Sequence, residues 1–187
     1  MPNLAERMFF GGAQKKIDRL GLKGIWNELE TVLTGFEFCI NNDDKSDTGM
    51  VLRKLLDNRF RSRSEWTEKE GEGIDWTRCH KVNGTRVCLG VEIQLSVSAQ
   101  SDLILVDLQY LYDEIVSGRI DVGVMVVPST KLASFLTDDV ATYREAVRGI
   151  QRAGASHYPV AVLALEHDGP GPALAKRPTR QGKRPIV

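Results

Sequence analysis

Several features that mark particular classes of protein are absent from this chain of 187 residues. It has no continuous apolar run of about 18 residues, so no membrane span is expected. Its first residues include acidic Glu6 and no continuous apolar segment, so we expect no signal peptide and a cytoplasmic protein. The Walker, GxSxG and GxGxxG motifs are also missing. Their absence argues against ATPases, serine hydrolases and dinucleotide-dependent dehydrogenases.

Cysteine is scarce, with Cys39, Cys79 and Cys88 as the three examples. An odd number without a CxxC pair favours reduced thiols over a disulfide framework or a paired zinc site. His80 is adjacent to Cys79 in sequence, but alternation along a strand puts its side chain on the opposite face. We therefore do not expect zinc.

The charge distribution divides the chain. Hydrophobic residues make up 42% and charged residues 27%, which is ordinary globular composition. The formal net charge is zero, yet residues 169–187 contain five bases and no acid, leaving 20 bases and 25 acids before them. We predict a single domain over 1–168, with a helical first third (1–62) and a core (63–168). The basic Pro/Gly-rich tail is either a disordered solubilising end or a strap that binds phosphates.

The first third has helical periodicity. Apolar spacing predicts a helix over 24–34 and another that runs from a cap at Asp47 or Thr48 to about residue 60. The segment 4–20 also has a helical pattern, although two glycines interrupt it. The apolar stripes around Trp26 and Leu55 fit either an interface between subunits or the core of one subunit.

Strand patterns follow. Asn83-Gly84 is the strongest short hairpin signal in the chain and predicts strands over 74–82 and 85–95. The order of elements predicts an α/β fold with a mixed central sheet flanked by helices. The later elements are expected to be a helix from Ser101 to near Gly118, a buried strand in DVGVMVVP, a helix opened by Asp138 or Asp139 and a buried strand in PVAVLAL.

The hairpin register brings polar side chains together. If Asn83 and Gly84 are the central turn residues, opposed residues have numbers that sum to 167, and Asp75 faces Glu92. Alternation puts Gln94 on the same face as Glu92, and Ile93 points into the core. Two opposed carboxylates call for a compensating cation, and Mg²⁺ prefers such oxygen ligands. The alternatives are solvated acids at a strand end or a register shifted by a bulge.

An Asp at the start of one hairpin strand and E-x-Q on its return resemble the PD-(D/E)XK nuclease motif, in the variant with Gln in place of Lys. The chain is similar to type II restriction endonucleases of the BglII and BstYI type from about residue 26 onward. The similar segments are WNELETVL, GIDW, VEIQLS, YLYDEIVSG, GVMVVPS, TYREAVRGI, PVAVLAL and the basic tail.

This resemblance implies a restriction-endonuclease-like core and Mg²⁺-dependent cleavage of double-stranded DNA that leaves 5′-phosphates. By it, Asp75, Glu92 and the backbone carbonyl of Ile93 bind the metal, and Gln94 orients the attacking water. A homodimer acting on a short palindromic site, with a cognate DNA methyltransferase protecting host DNA, is also implied. The alternatives are a structure-selective repair or junction nuclease of the same fold and a non-catalytic DNA-binding module.

Further residues are candidates for supporting roles. Glu28, Glu30 or Glu72 would add an acid to the site, but each fits a solvated acid better. Trp66 and Trp76 fit packing better than base stacking. Polar residues after the sheet strands and the bases of the tail are the candidate DNA contacts: Ser96, Ser98, Gln100, Ser101, Ser129, Thr130, Lys131, Lys176, Arg177, Arg180, Lys183 and Arg184.

Overall fold

A six-stranded mixed sheet forms the centre of the computed structural model, which describes residues 2–41, 44–69, 73–95, 103–136, 140–179 and 182–186. The strands are β1 (Asn3–Phe9), β2 (Thr67–Glu68), β3 (Trp76–Val82), β4 (Thr85–Ile93), β5 (Val122–Pro128), β6 (Val160–Glu166), β7 (Lys176–Thr179) and β8 (Gly182–Pro185). The helices are α1 (Ala13–Arg19), α2 (Lys23–Thr34), α3 (Lys45–Arg61), α4 (Leu103–Val116), α5 (Thr130–Ala133) and α6 (Tyr143–Arg152).

The sheet has the order β1-β6-β5-β4-β3-β2. Strand β5 is parallel to both of its neighbours, β4 and β6. The other pairs, β1 with β6, β3 with β4 and β2 with β3, are antiparallel. Helices pack on both faces, with α2 and α3 on one side and α4 and α6 on the other. The predicted mixed α/β architecture is therefore confirmed.

Alternation along β4 distributes its side chains between two buried clusters. Val91 and Ile93 pack with apolar residues of α2 and α3. Cys88 lies on the opposite face, with the apolar residues of α4 and α6. Glu92 and Gln94 follow the same alternation as Cys88, which turns them toward the α4 side of the sheet. This division decides which helices can reach the hairpin site from each face.

The prediction of a helix from residue 4 was wrong for its first part. Asn3–Phe9 is the edge strand β1, which pairs antiparallel with β6 and shifts register between Leu4 and Glu6. Pairing with a distant strand therefore outweighs the local helical pattern, as tertiary context often does. The helix begins only after the two glycines, as α1.

Two helix starts also differ from the expected caps. Helix α3 follows Asp44, and Thr48 lies inside the helix with its hydroxyl donating to the Asp44 carbonyl. Helix α6 is capped by Thr142, whose side chain and that of Glu145 form a reciprocal capping box. The other candidate caps, Ser101, Asp138 and Asp139, lie outside the described residues.

The aromatic residues of the first third and the hairpin are core residues. Trp26 is buried, and Leu55 packs against the same cluster, which supports the core interpretation over a subunit interface. Phe60 stacks on Trp76 and meets Trp66 edge-on. The packing role expected for both hairpin-side tryptophans is confirmed.

The hairpin register is confirmed, but the expectation of reduced thiols was wrong for two of the three cysteines, since only Cys39 is free. Pairs run from Val82 opposite Thr85 to Trp76 opposite Val91, with a positive φ at Asn83. Cys79 and Cys88 are directly opposed and form a disulfide. The turn thus places the two sulfurs side by side, an effect of pairing that the cysteine count does not reveal.

The basic tail is ordered where the structure describes it, so the disordered alternative was wrong for these residues. Strands β7 and β8 form a hairpin, and β8 packs against α3. Lys176 pairs with Asp44 (2.7 Å) and Asp47 (2.8 Å), and the Leu174 amide donates to Asp44. The side chains of Arg177, Lys183 and Arg184 are exposed, and Arg180 lies outside the described residues. No described helix is long and apolar enough to cross a membrane.

Helix α3 approaches the end of β4 at a glycine. A Cβ added to Gly49 would lie 2.3 Å from the Leu95 carbonyl oxygen, whereas one added to Gly24 in α2 would meet nothing within 4 Å. We predict that Gly49→Ala destabilises the fold by about 1–3 kcal/mol through overpacking. Gly24→Ala should stabilise it by about 0.5–1 kcal/mol, since Ala restricts the unfolded chain. Urea unfolding measures both, and equal effects would show that the close approach is unimportant.

Candidate active site

The end of the β3–β4 hairpin brings Asp75 and Glu92 together. Asp75 precedes β3 by one residue, and its backbone amide donates to Glu92 Oε2 (3.2 Å). The Asp75 carboxylate reaches across the hairpin, where Oδ2 accepts a hydrogen bond from the Ile93 amide (2.7 Å). Glu92 is 7% exposed and the Asp75 side chain 17%, so the two carboxylates are not solvated acids at a strand end, and the neighbouring Gln94 is 8% exposed. The structure therefore gathers the predicted cluster in a largely dry environment.

Arg53 approaches this cluster from α3. Its Nη2 donates to Asp75 Oδ1 (2.5 Å), and its Nη1 donates to the Ile93 carbonyl (2.8 Å). Its Nε lies 3.0 Å and 3.1 Å from the two oxygens of Asp57, one turn further along the helix. Trp76 Nε1 also donates to Asp57 (3.2 Å). A single guanidinium thus joins the helix to two of the three groups expected to bind the metal.

Gln94 contacts an acid of α4, the helix on the face of the sheet opposite to α3. Its Nε2 donates to Asp107 Oδ2 (2.7 Å), and Asp107 belongs to α4. The Gln94 backbone amide donates to the Val126 carbonyl on β5, which holds the residue in line with the sheet. Because the side-chain nitrogen of Gln94 donates to a carboxylate, its side-chain carbonyl is the acceptor that this residue offers.

Burial and mutual repulsion disfavour ionisation of all three carboxyl groups of the cluster at once. Burial, followed by the charges of Asp75 and Asp107, raises the pKa of Glu92 to about 9. Burial and the charge of Asp75 raise the pKa of Asp107 to about 6. Burial also raises the pKa of Asp75 despite the opposing contact with Arg53. One guanidinium therefore does not compensate the negative charge gathered here.

The donor set fits a hard divalent cation in part. Asp75, Glu92 and the Ile93 carbonyl offer oxygens, which Mg²⁺ prefers, and the raised pKa of Glu92 shows the need for more positive charge. Within the described ranges, no group of three or more Asp, Glu, His or Cys side chains could hold a metal ion. Oxygens from the backbone, water or a phosphate would have to complete the coordination.

Two of the other acids considered from sequence, Glu28 and Glu30, do not join the cluster. Glu28 accepts hydrogen bonds from Trp66 and Arg78. Glu30 accepts from Arg7 and Trp26, also away from the hairpin end. Both side chains therefore have structural partners, and Glu72 lies outside the described residues.

The candidate DNA contacts after β5 are not equivalent. Ser129 is buried as the cap of α5, with its hydroxyl donating to Glu166 (2.7 Å) and accepting from the Leu132 amide. A hydroxyl held in this way is not available to a base edge. Thr130 and Lys131 are exposed. The candidates that follow β4, namely Ser96, Ser98, Gln100 and Ser101, lie outside the described residues.

Two functional candidates were missed by sequence reasoning. A compensating cation was expected, but not that a protein side chain, Arg53, would supply it. Arg53 and Asp57 are four residues apart, the spacing at which ion pairs form along a helix, and this spacing was the available signal for Arg53. Asp107 is a lone acid within the apolar segment LILVDLQYL, and its position among apolar residues was the available signal.

We predict that Glu92→Gln makes the free energy of unfolding less dependent on pH when it is measured in the presence of EDTA. The folded protein keeps the Glu92 proton up to about pH 9, whereas the unfolded chain releases it near 4.5. Stability should therefore fall as pH rises between these values, by up to about 1.4 kcal/mol per pH unit. Glu92→Gln should remove this slope and increase stability most at high pH.

Urea unfolding at about pH 5 and pH 8 measures this effect. The exposed Glu6→Gln provides the matched control and should leave the slope unchanged. An identical pH dependence for wild type and Glu92→Gln would contradict the prediction.

Comparison with known proteins agrees with the architecture. The family model described as Restriction endonuclease BglII/BglIII matches residues 9–165, a range that includes all the residues of the hairpin cluster. No curated protein matches the chain. The family match implies a sequence-specific DNA endonuclease that binds double-stranded DNA. The chain belongs to the BglII/BglIII family of restriction endonucleases.

Proposed function

We propose that this protein is a Mg²⁺-dependent type II restriction enzyme that cuts both strands of a short palindromic site and leaves 5′-phosphates. The observation that carries the proposal is the convergence of Asp75, Glu92 and the Ile93 carbonyl beside Gln94 at the hairpin end. This is the D...ExQ variant of the PD-(D/E)XK arrangement. The family match favours this function over a structure-selective nuclease or a non-catalytic DNA-binding module.

The three oxygen-bearing groups would hold the metal, and the hairpin fixes their relative positions. Asp75 is held by the Ile93 amide, and Glu92 is held by the Asp75 amide. Bound Mg²⁺ supplies charge stabilisation at the scissile phosphate and lowers the pKa of a bound water. Preorganised ligands lower the cost of assembling such a site.

Gln94 contributes orientation rather than charge. Its amide cannot act as a general base or carry a positive charge. With Nε2 engaged by Asp107, its Oε1 can accept a hydrogen bond from the attacking water and direct the oxygen lone pair toward phosphorus. Asp107 is therefore a positioning residue for Gln94 in this proposal.

The proposed DNA interface combines residues near the sheet edge with the tail. Thr130 and Lys131 are exposed after β5, and the tail contributes Arg177, Arg180, Lys183 and Arg184. Lys176 is left out because Asp44 and Asp47 hold its ammonium group. We also include Ser96, Ser98 and Gln100 from their sequence position after β4. Ser129 is left out because its hydroxyl is buried in a cap. Loops that follow sheet strands commonly carry such recognition residues.

We infer a homodimer because one domain with one hairpin site cuts one strand. A palindromic target repeats the same contacts about a two-fold axis, which a two-fold dimer matches. A partner DNA methyltransferase would protect host DNA, and both proteins would act in the cytoplasm.

The decisive experiment is cleavage of plasmid DNA of varied sequence with Mg²⁺, followed by sequencing of the ends. A common palindrome, and ends that ligate to adaptors without prior kinase treatment, are expected. Asp75→Asn and Glu92→Gln should abolish cutting because each removes a metal-binding charge. Gln94→Ala should slow it by about a hundredfold, as is common when a positioning group is lost.

The control is Glu6→Gln, an exposed acid on β1. Thermal melting shows that each variant is folded, and gel-shift assays show whether DNA binding is kept. Undiminished cutting by Asp75→Asn, or by wild type in EDTA, would refute the metal-dependent proposal.

A second prediction concerns the tail hairpin. Arg177 and Lys183 are exposed on β7 and β8, whereas Lys176 anchors the hairpin to α3. Each phosphate contact contributes about −0.9 to the slope of log affinity against log salt, so Arg177→Gln with Lys183→Gln should flatten that slope by up to about 1.8. Sequence preference should remain, since phosphate contacts do not read bases.

A matched control lies at the other end of the β3–β4 hairpin. Lys81 and Arg86 are also exposed, cross-strand bases, but they lie near the turn, far along the strands from Glu92. Lys81→Gln with Arg86→Gln should leave the salt slope unchanged. If both double variants have the same slope, the tail does not bind DNA phosphates.

A further inference from the structure

Arg53 contacts the same atoms that the proposed metal would need. Asp75 Oδ2 accepts a hydrogen bond from the Ile93 amide, which occupies one of its lone pairs, so Oδ1 is the better placed of the two oxygens to bind a cation. Arg53 Nη2 donates to that oxygen. Arg53 Nη1 donates to the Ile93 carbonyl, the third expected ligand. The guanidinium therefore covers one atom of each of two expected ligands.

We propose that Arg53 is the resident counter-ion of the site and competes with a divalent cation for Asp75 Oδ1 and the Ile93 carbonyl oxygen. This inference rests on the function proposed above. It adds that metal entry requires the guanidinium to leave both oxygens. Arg53 thereby lowers the metal affinity of the protein in the absence of DNA.

The contacts of Arg53 support exchange rather than a permanent ion pair. Its Nε is held by both oxygens of Asp57, and Asp57 is held in turn by Trp76. The Nε contact involves neither expected ligand, so a pivot of the planar guanidinium about Nε can release both Nη contacts while Nε stays beside Asp57. A guanidinium also presents its donors in a fixed fork, so the two Nη contacts are made together and are expected to be lost together.

Electrostatics give the direction of the effect. A positive charge within hydrogen-bond distance of a metal ligand repels an incoming cation, and burial reduces the screening of that repulsion by water. The Asp75 and Arg53 side chains are 17% and 29% exposed, so neither is fully solvated. Removal of the guanidinium charge should therefore tighten metal binding.

The test is a titration of the metal-free, full-length protein with Mn²⁺ in the absence of DNA. Calorimetry or electron paramagnetic resonance measures the binding. Arg53→Met keeps a long apolar stem and removes the charge. We expect its Kd for Mn²⁺ to be at least about tenfold lower than that of wild type. Arg61→Met is the matched control, because it removes an ion pair with Glu68 on the exposed end of the same helix. Its Kd should equal that of wild type.

The outcomes separate this inference from the proposed function. Mn²⁺ binding that requires Asp75 and Glu92 but is unchanged or weakened in Arg53→Met overturns the competition and leaves the metal site intact. Absence of Mn²⁺ binding in wild type and Arg53→Met overturns the metal site, and the competition with it.

A measurement on wild type covers the case in which Arg53→Met does not fold. Arginine side-chain NMR during Mg²⁺ titration should show the Arg53 Nη signals changing as the two contacts are released, with the Nε signal kept near its starting position by Asp57. Nη signals that remain unchanged at saturating Mg²⁺ would overturn the proposal.

Discussion

Excess negative charge at the end of the β3–β4 hairpin is the constraint on which the functional region depends. Asp75 and Glu92 are brought together by strand pairing, and Asp107 is added from α4. Burial makes this arrangement costly, as the pKa of Glu92 raised to about 9 shows. The protein offsets part of this cost with Arg53 and part by retaining a proton on Glu92 at neutral pH. Under the proposed function, a divalent cation would take over the charge compensation that the proton and the guanidinium provide.

The hairpin part of this site could be predicted from sequence because its geometry is local. The Asn83-Gly84 turn fixes the register of the hairpin. This register brings Asp75 close to Glu92, and alternation puts Gln94 on the same face as Glu92. Two-residue alternation then separates these side chains from Ile93, which lies in the core. Only nearby residues and one turn type are needed for this argument.

The rest of the site could not be predicted in this way because it depends on distant contacts. Arg53 meets the hairpin end only after α3 has packed on one face of the sheet, and Asp107 meets Gln94 only after α4 has covered the other. The same reason explains β1, whose strand conformation depends on pairing with β6 far along the chain. The disulfide is a different case. Residue numbers 79 and 88 sum to 167, so the predicted register already places Cys79 opposite Cys88, and the error came from giving the number of cysteines more weight than their proximity.

Helix α3 connects the site with the tail. Near its first turn, Asp44 and Asp47 hold Lys176, and two turns further along Arg53 holds Asp75 and Ile93. At about 1.5 Å per residue, Asp44 and Asp47 lie roughly 14 Å and 9 Å from Arg53 along the axis of this helix. Between them, the absence of a side chain at Gly49 allows the helix to approach the Leu95 carbonyl at the end of the strand that carries Glu92. A shift of α3 would therefore change the distance from Arg53 to the hairpin and the position of the tail hairpin together. The fold thus links the charge balance of the candidate active site to the basic surface that would approach DNA.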